Sequence, residues 1–231
     1  MNTMIEAFRR VRERIERAAV KAGRDPAAVK LIAVSKTKPA TMLAQAMEAG
    51  QLDFGENYVQ ELLDKRTVLP PTLRWHFIGR LQSNKVRQLV GITELVHSVD
   101  REKLLVEFER QAEAKNLSVR CLIEVNLDGE TSKGGIEPEA LFPLLQRSGE
   151  FKRVQIRGLM SIPPYCEDPE AMRPFHRRLS ELAKALRQQT GMALPELSMG
   201  MSGDLDIAVE EGATLVRVGT DLFGPRGKTI L

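Results

Sequence analysis

The stretch LIAVSKTKPATMLAQAMEAG, residues 31–50, contains one unit of the pattern that decides the fold. Its first four residues are all apolar, which is typical of a strand that is buried on both faces of a parallel sheet. The strand ends at Lys36, directly before a turn, and the amphipathic segment that follows the turn predicts a helix. The unit is therefore a strand, a turn that carries a lysine, and a helix.

The same alternation of short apolar runs and longer amphipathic runs continues along the chain after a charged first helix, MNTMIEAFRRVRERIERAAVKAG. Eight parallel strands that alternate with helices predict a closed (β/α)8 barrel. A doubly wound open sheet is the alternative, but its first turn is usually rich in glycine, and SKTKP is not. The strand candidates are LIAVS, LDFG, WHFIG, ELVHSV, VRCLIEVNL, QIRGLMSI, ELSMGM and TLVRVG.

The composition favours one domain over residues 1–231, since 42% of the residues are hydrophobic and no linker-like stretch divides the chain. A net charge of +3 with interleaved signs, and 5% aromatic residues, give little support for a nucleic-acid partner. No apolar run is long enough to cross a bilayer. Cys121 and Cys166 have no metal or redox spacing and indicate reduced thiols. We expect a cytoplasmic protein without a metal, a membrane or a nucleic acid as partner.

The position of Lys36 suggests chemistry, because functional residues of such barrels lie at the carboxyl ends of the strands. A lysine that is partly removed from water has its charged form disfavoured. The neutral amine can attack an aldehyde and form a Schiff base. The alternative is a lysine whose stem covers apolar surface while its ammonium group stays in water.

Two turns near the end of the chain predict a phosphate site. In LVRVGTDLFG, the backbone N–H groups of Gly219 and Thr220 open a short helix, and in SMGMSGD the hydroxyls of Ser198 and Ser202 offer donors. Barrels often bind phosphate near strands seven and eight. The alternative is a pair of tight turns with a helix N-cap at Ser202 or Asp204. Two such turns across the barrel mouth from a lysine predict a phosphorylated aldehyde.

Arg217, in LVRVG, is unusual for a buried strand. Strand alternation places its guanidinium inside the barrel or at its rim, where it needs an acceptor. The ring nitrogen of a ligand would serve, and an internal salt bridge to a carboxylate such as Glu124 is equally compatible with the sequence.

Together, the motifs of the chain resemble the pyridoxal 5′-phosphate (PLP) homeostasis proteins, the YggS/PROSC group. The resemblance implies a single alanine racemase-like barrel (PLP fold type III) with an extra N-terminal helix. It also implies that PLP is held as a Schiff base on the lysine of AVSKTKP, Lys36. The motifs that carry the resemblance are AVSKTKP, FGENYVQE, WHFIGRLQSNK, HSVD, GLMSIP, SMGMSGD and VRVGTDLFGPR.

The resemblance assigns further roles by motif. Ser202, Gly219 and Thr220 match the phosphate cup, and Ser198 lies beside them in SMGMS. Arg217 corresponds to the arginine that faces the pyridine nitrogen in racemase-like barrels.

Three other residues belong to matching motifs. Asn57 of FGENYVQE and His76 of WHFIG are expected to line the pocket, although a lone histidine on a strand is otherwise most simply a hydrogen-bonded core residue. Lys133 is expected to be a second basic group near the mouth.

The function that we expect is binding of PLP rather than efficient catalysis. An arginine stays protonated, so the ring nitrogen beside it remains an unprotonated acceptor and carbanion stabilisation is weakened. Racemisation also needs a second acid or base. The family comparison implies that in alanine racemases this group comes from an added β domain and the partner subunit, and no such sequence follows the eighth strand here. We expect a monomer that stores or delivers PLP, with PLP-dependent apoenzymes as partners, in PLP homeostasis and amino and keto acid balance.

Two alternatives stay open at this point. One is a weak PLP-dependent enzyme, such as an amino-acid racemase, with His76 or Tyr58 as the second base. The other is a barrel enzyme that acts on a sugar phosphate and uses Lys36 as its Schiff-base residue.

Overall fold

Eight parallel strands close into a barrel in the order in which they follow one another along the chain, and the eighth pairs with the first. The computed structural model describes residues 3–129, 134–164 and 166–225. The closed sheet confirms the (β/α)8 barrel, and the open-sheet alternative is wrong. The strands are β1 (Lys30–Val34), β2 (Asp53–Glu56), β3 (Arg74–Phe77), β4 (Thr93–Val99), β5 (Val119–Glu124), β6 (Val154–Met160), β7 (Glu196–Ser198) and β8 (Leu215–Val218).

Helices cover the outside of this barrel, and the first of them precedes the strand–helix repeat. That helix buries Phe8, Val11 and Ile15, which lie three and four residues apart on one face, as an amphipathic helix requires. The extra N-terminal helix is thereby confirmed. The helices are α1 (Thr3–Lys21), α2 (Ala40–Glu48), α3 (Val59–Val68), α4 (Val86–Leu89), α5 (Glu102–Ala114), α6 (Pro138–Gln146), α7 (Arg173–Thr190), α8 (Leu205–Glu210) and α9 (Thr220–Phe223). Among the described residues, no helix is both long and apolar enough to cross a membrane.

The apolar core has two parts, because the two faces of each strand point to different places. The larger part lies between the strands and the helices. The smaller part fills the barrel interior, which we call the lumen. Its buried apolar members are Ile32, Leu95, Leu122, Met160 and Leu215.

Polar residues share the lumen with this small apolar cluster. His97 is two residues after Leu95 on β4, and Arg217 is two residues after Leu215 on β8, so both point inward. His76 and Ser198 lie on the same lumen-facing side of β3 and β7, since their strand neighbours belong to the outer core. The four side chains are buried. A barrel interior of this kind is usually filled by branched apolar residues, so the polar lumen needs an explanation.

Two glycines allow unusually close backbone approaches. A Cβ on Gly158 of β6 would lie 1.8 Å from the carbonyl oxygen of Glu196 on β7. A Cβ on Gly79 would lie 2.1 Å from the carbonyl oxygen of Asn57. The first glycine permits the contact between β6 and β7, and the second permits the chain after β2 to cross the chain after β3.

Three strands are shorter at their carboxyl ends than the apolar runs predict. β5 ends at Glu124, β6 at Met160 and β7 at Ser198, whereas the runs extend to residues 127, 162 and 201. After β7, the carboxylate of Asp204 accepts a hydrogen bond of 2.6 Å from the N–H of Met201 and forms a turn. Of the apolar residues beyond these strand ends, Ile162 and Met201 line the cavity above the sheet.

Candidate functional site

A cavity of about 530 Å³ lies at the carboxyl ends of the strands. This volume is within the range of about 300–1,000 Å³ that is typical of small-molecule sites. Apolar side chains such as Ile78, Ile162 and Met201 supply part of its wall. The predicted site residues that line it are Lys36, Asn57, Ser202, Arg217, Gly219 and Thr220.

Lys36 is half-buried in the loop between β1 and α2, and α3 fixes the residues on both sides of it. The ammonium group of Lys65 donates to the carbonyl oxygen of Ser35 at 2.7 Å. The carboxylate of Glu61 accepts from the N–H of Thr37 at 2.6 Å. Thr37 has a φ of 64°, a left-handed conformation that is rare for a β-branched residue. The two contacts therefore fix the loop in a backbone conformation that costs energy.

Behind this loop lies a buried ion-pair cluster. Glu56 accepts from the ammonium group of Lys65 at 2.6 Å and from the hydroxyl of Ser35 at 2.6 Å. Lys65 also contacts Glu61 at 2.8 Å. Burial raises the pKa of Glu56 to about 7, although Lys65 acts in the opposite direction. One ammonium group thus connects two carboxylates and the backbone beside Lys36.

The two predicted phosphate turns lie on the same pocket. In the described part of the chain, the backbone N–H groups of Ser202, Gly203, Gly219 and Thr220 donate to no acceptor. Free backbone N–H groups that face one cavity are suited to an anion. We call these four residues the anion cradle.

Arg14 of α1 bridges the two turns that form the anion cradle. Its guanidinium donates to the carbonyl oxygen of Ser202 at 3.1 Å and to the carboxylate of Asp221 at 2.7 Å. It also forms an ion pair with Asp206. The sequence identified α1 only as a charged first helix, and Arg14 was not among the predicted site residues. The only sequence signal for Arg14 was that a basic residue lies on a helix outside the strand–helix repeat.

Arg217 lies beneath the cavity as a buried donor. Its guanidinium donates to the hydroxyl of Ser198 at 2.6 Å and to the carbonyl oxygen of Ser161 at 2.9 Å. Among the described residues, the two hydrogen-bond acceptors of Arg217 are neutral oxygens and Glu124 acts on it only through space, so the salt bridge to Glu124 is not formed. Burial lowers the pKa of Arg217 to about 10, which still leaves the side chain protonated at neutral pH.

Two predicted site residues do not line the cavity. Ser198 is fully buried, and its hydroxyl bonds to Arg217 and to His97. His76 is also buried, and its ring nitrogens contact Asp53 and His97 in the lumen. Strand alternation gives the correct face for both residues, but not their depth below the strand ends. The prediction that His76 lines the pocket is therefore wrong.

The remaining predicted residues have different positions. Asn57 lines the cavity, and its buried side-chain Oδ1 has no hydrogen-bond partner among the residues that the structure describes. Tyr58, the other candidate for a second base, is 61% exposed and is not among the residues that line the cavity. Lys133 lies outside the described residues. Within those residues, no group of His, Cys, Asp and Glu side chains could hold a metal ion.

Comparisons with known proteins agree with this geometry. The family model for the alanine racemase N-terminal domain matches residues 7–227. A pyridoxal phosphate homeostasis protein of Aquifex aeolicus is 48% identical over 96% of this chain and 97% of its own. A protein of the same name from Escherichia coli is 39% identical over 98% of both chains.

Solved structures extend the comparison. PipY of Synechococcus elongatus, in a structure with PLP bound, is 41% identical, with a TM-score of 0.82 over 91% of this chain and 100% of that chain. Alanine racemase of Streptomyces coelicolor is 20% identical, with a TM-score of 0.72 over 96% of this chain and 59% of that chain. The second similarity concerns the fold alone.

Proposed function

Since this chain belongs to the alanine racemase N-terminal domain family, and within it to the pyridoxal phosphate homeostasis proteins, we propose that it binds PLP in the cavity and acts in PLP homeostasis. The observation that carries the proposal is one cavity that combines an amine, an anion cradle and a buried guanidinium. Lys36 supplies the amine, and Arg217 the guanidinium.

The residues fit the chemical groups of the cofactor. When bound, PLP supplies an aldehyde that an amine can capture reversibly, with the release of one water molecule. Lys36 is the residue that we assign to this capture. The anion cradle would hold the phosphate through the backbone N–H groups of Ser202, Gly203, Gly219 and Thr220. The buried Oδ1 of Asn57, which has no partner in the described part of the chain, can accept a hydrogen bond from the ligand.

Arg217 favours a carrier over a catalyst. Its guanidinium has only donors, so the ring nitrogen that faces it must accept, which weakens the electron sink that carbanion chemistry needs. The two candidates for a second base, His76 and Tyr58, do not line the cavity. We therefore propose storage and delivery of PLP, with PLP-dependent apoenzymes as recipients, as the function of the chain.

The domain organisation, oligomeric state and location of the chain belong to the same proposal. The whole chain, residues 1–231, acts as one PLP-binding domain and as a monomer in the cytoplasm. Homeostasis of amino and keto acids follows from the supply of PLP to the enzymes that interconvert them.

The direct test of Lys36 is reduction with borohydride followed by peptide mapping. We expect a yellow protein in which the reduced cofactor is attached to Lys36, and loss of this adduct in Lys36→Ala. Lys38 is the internal comparison, because it lines the same cavity while its ammonium group donates to the carbonyl oxygens of Phe223 and Pro225. An adduct on Lys38, or on any other lysine in the unchanged protein, contradicts the assignment.

A second experiment separates the carrier from a weak racemase. The PLP-loaded protein is incubated with α-deuterated amino acids, and the α-deuteron is followed by NMR. We expect no loss of deuterium beyond that of free PLP at the same concentration. Loss that depends on the protein would support the racemase alternative.

A further inference from the structure

A chain of hydrogen bonds crosses the lumen from the far end of the barrel to the cavity. Asp53 Oδ1 lies 3.1 Å from His76 Nε2, and His76 Nδ1 lies 3.0 Å from His97 Nε2. His97 Nδ1 lies 2.8 Å from Ser198 Oγ, and Ser198 Oγ lies 2.6 Å from Arg217 Nη1. We call these five side chains the lumen relay. Only Arg217 among them lines the cavity.

The two ends of the lumen relay determine where its protons lie. A guanidinium can only donate, and an ionised carboxylate can only accept. With both imidazoles neutral, the His76 Nε2–H therefore donates to Asp53. His76 Nδ1 must then accept from the Nε2–H of His97, and His97 Nδ1 must accept from the Ser198 hydroxyl. The oxygen of that hydroxyl accepts from Arg217, so every bond points the same way.

An extra proton on the histidine pair does not fit this geometry. If His76 carried it, both of its nitrogens would donate, and His97 would have to donate from Nδ1 to Ser198. Ser198 Oγ would then receive two donors, and in the described part of the chain its own proton would have no acceptor. Burial also keeps the pKa of His97 well below its usual value. The neutral, one-directional arrangement satisfies every group.

The far end of the lumen relay is a well-anchored negative charge. Asp53 lies at the start of β2, and its carboxylate accepts from the guanidinium of Arg74 at 2.8 Å. Lys30 lies 3.9 Å away on the same side. Arg74 and His76 hold the pKa of Asp53 far below its usual range, although burial opposes them. The acceptor at the far end therefore stays ionised.

The cavity end is a buried positive charge that needs compensation. In the described part of the chain, the Arg217 guanidinium donates to the hydroxyl of Ser198 and to the carbonyl oxygen of Ser161, neither of which carries a charge. The carboxylates of Asp204 and Glu124 act on it through space, without a hydrogen bond. A chain of aligned donors polarises each bond in turn and directs partial negative charge towards the guanidinium. The lumen relay connects this cation to the Asp53 carboxylate at the opposite end of the barrel.

We propose that Asp53, His76, His97 and Ser198 are positioning residues that orient the Arg217 guanidinium and compensate its charge. The part of this proposal in which Arg217 faces the ring nitrogen of PLP rests on the proposed function. The proton order of the lumen relay does not. The proposal gives a role to His76, which is buried too deep to touch a ligand in the cavity.

The proton order is tested by NMR of the histidine side chains in the protein without PLP. We expect His76 and His97 to be neutral, each with its proton on Nε2 and a lone pair on Nδ1. In Ser198→Ala, the Nδ1 signal of His97 should shift because it loses its donor. A proton on Nδ1 of either ring, or no response to Ser198→Ala, contradicts the proposal.

The positioning role is tested with the PLP-loaded protein. Ser198→Ala removes the acceptor that orients the Arg217 guanidinium, so we expect PLP binding to weaken about tenfold or more. Ser198→Thr keeps the hydroxyl and should restore most of the affinity. The matched control is Ser98→Ala, which removes a buried strand serine whose hydroxyl donates to the carbonyl oxygen of Gly79, outside the lumen relay.

Substitutions at the Asp53 end of the lumen relay give a readout that a merely structural role would not change. His76 and Asp53 lie three and four hydrogen bonds from Arg217, yet His76→Phe and Asp53→Asn should each shift the visible absorption maximum of bound PLP. An unchanged spectrum in variants that are folded and bind PLP overturns the positioning role. If the unchanged protein binds no PLP, the proposed function fails, whereas the NMR result on proton order is still decided.

Discussion

At the residue scale, the lysine that defines the site depends on neighbours that lie behind it. Lys65 joins the carbonyl oxygen of Ser35 to the carboxylates of Glu56 and Glu61, and Glu61 also accepts from the N–H of Thr37. These contacts fix a left-handed residue next to Lys36. The geometry of the amine is therefore set by α3 as well as by β1.

We expect Lys65→Met to disturb Lys36 without touching the ligand. Removing one partner of a buried ion pair lowers the free energy of unfolding by about 3 kcal/mol. The released loop should also slow formation of the borohydride-trapped adduct, which is measured by the rate of PLP incorporation. Lys115→Met is the matched control, because the ammonium group of Lys115 also donates to backbone carbonyl oxygens, those of Arg87 and Val90, but not in the loop of Lys36. An unchanged rate in a folded Lys65→Met protein would show that the loop needs no such support.

Glu56 gives a prediction about pH. Its pKa is raised to about 7 in the folded protein, against 4.5 as the ordinary value, so between these two pH values the folded state binds more protons than the unfolded chain. Stability from this group therefore falls as pH rises from 4.5 to 7. The free energy of unfolding of the unchanged protein, relative to Glu56→Gln, should fall by about 3 kcal/mol across that range. Chemical denaturation at several pH values measures it, and a constant or rising difference refutes the assignment.

The sequence predicted the strand-end residues well and the lumen residues poorly. Lys36, Asn57, Ser202 and Thr220 follow the carboxyl ends of strands, and topology alone brings such positions together. His76 was misplaced because alternation reveals which face a residue occupies, but not how far below the cavity it lies. Contacts such as that between His76 and Asp53 also depend on side-chain rotamers, which the sequence does not show.

At the scale of elements, α1 is more than a cover for the barrel. Its Arg14 contacts the carbonyl oxygen of Ser202 after β7, the carboxylate of Asp206 on α8 and the carboxylate of Asp221 on α9. The sequence predicted the helix but not this role, because the contacts join residues that are about 190 or more positions apart. The extra helix thus helps to fix the separation between the two turns of the anion cradle.

Arg14→Met should therefore weaken the binding of phosphate-containing ligands more than it weakens the fold. Loss of the contacts that fix the two turns should cost about 1 kcal/mol of phosphate binding, which corresponds to about fivefold in Kd for PLP. The control on the same helix is Arg9→Met, since Arg9 is exposed and, within the described residues, pairs only with Glu13, at 3.2 Å. Equal effects of the two variants on Kd would contradict a specific role for Arg14.

At the scale of the whole molecule, closure of the barrel depends on β7, a short strand that packs closely against β6. β7 has three residues, and its pairing with β8 has a single register pair, Ser198 with Leu215. The site depends on this region, because β7 leads into the turn that carries Ser202. Gly158 on β6 is the residue that allows the two strands to approach.

Gly158→Ala should open this region of the barrel. The added Cβ would lie 1.8 Å from the carbonyl oxygen of Glu196, so the backbone must move. We expect a loss of about 3 kcal/mol in the free energy of unfolding, measured by chemical denaturation, together with weaker PLP binding. Gly149→Ala is the matched control, since a Cβ there meets no atom within 4 Å and should leave stability nearly unchanged. Similar values for both variants would mean that the contact between β6 and β7 is not tight.

The most direct measurement is a crystal structure of the protein grown with PLP. Density should run without a break from Nζ of Lys36 to the cofactor, with the phosphate on the backbone N–H groups of Ser202, Gly203, Gly219 and Thr220. The ring nitrogen should face Arg217. Cofactor bound to another lysine, or a phosphate placed away from those four residues, would contradict the central claim that one cavity at the strand ends holds PLP through Lys36.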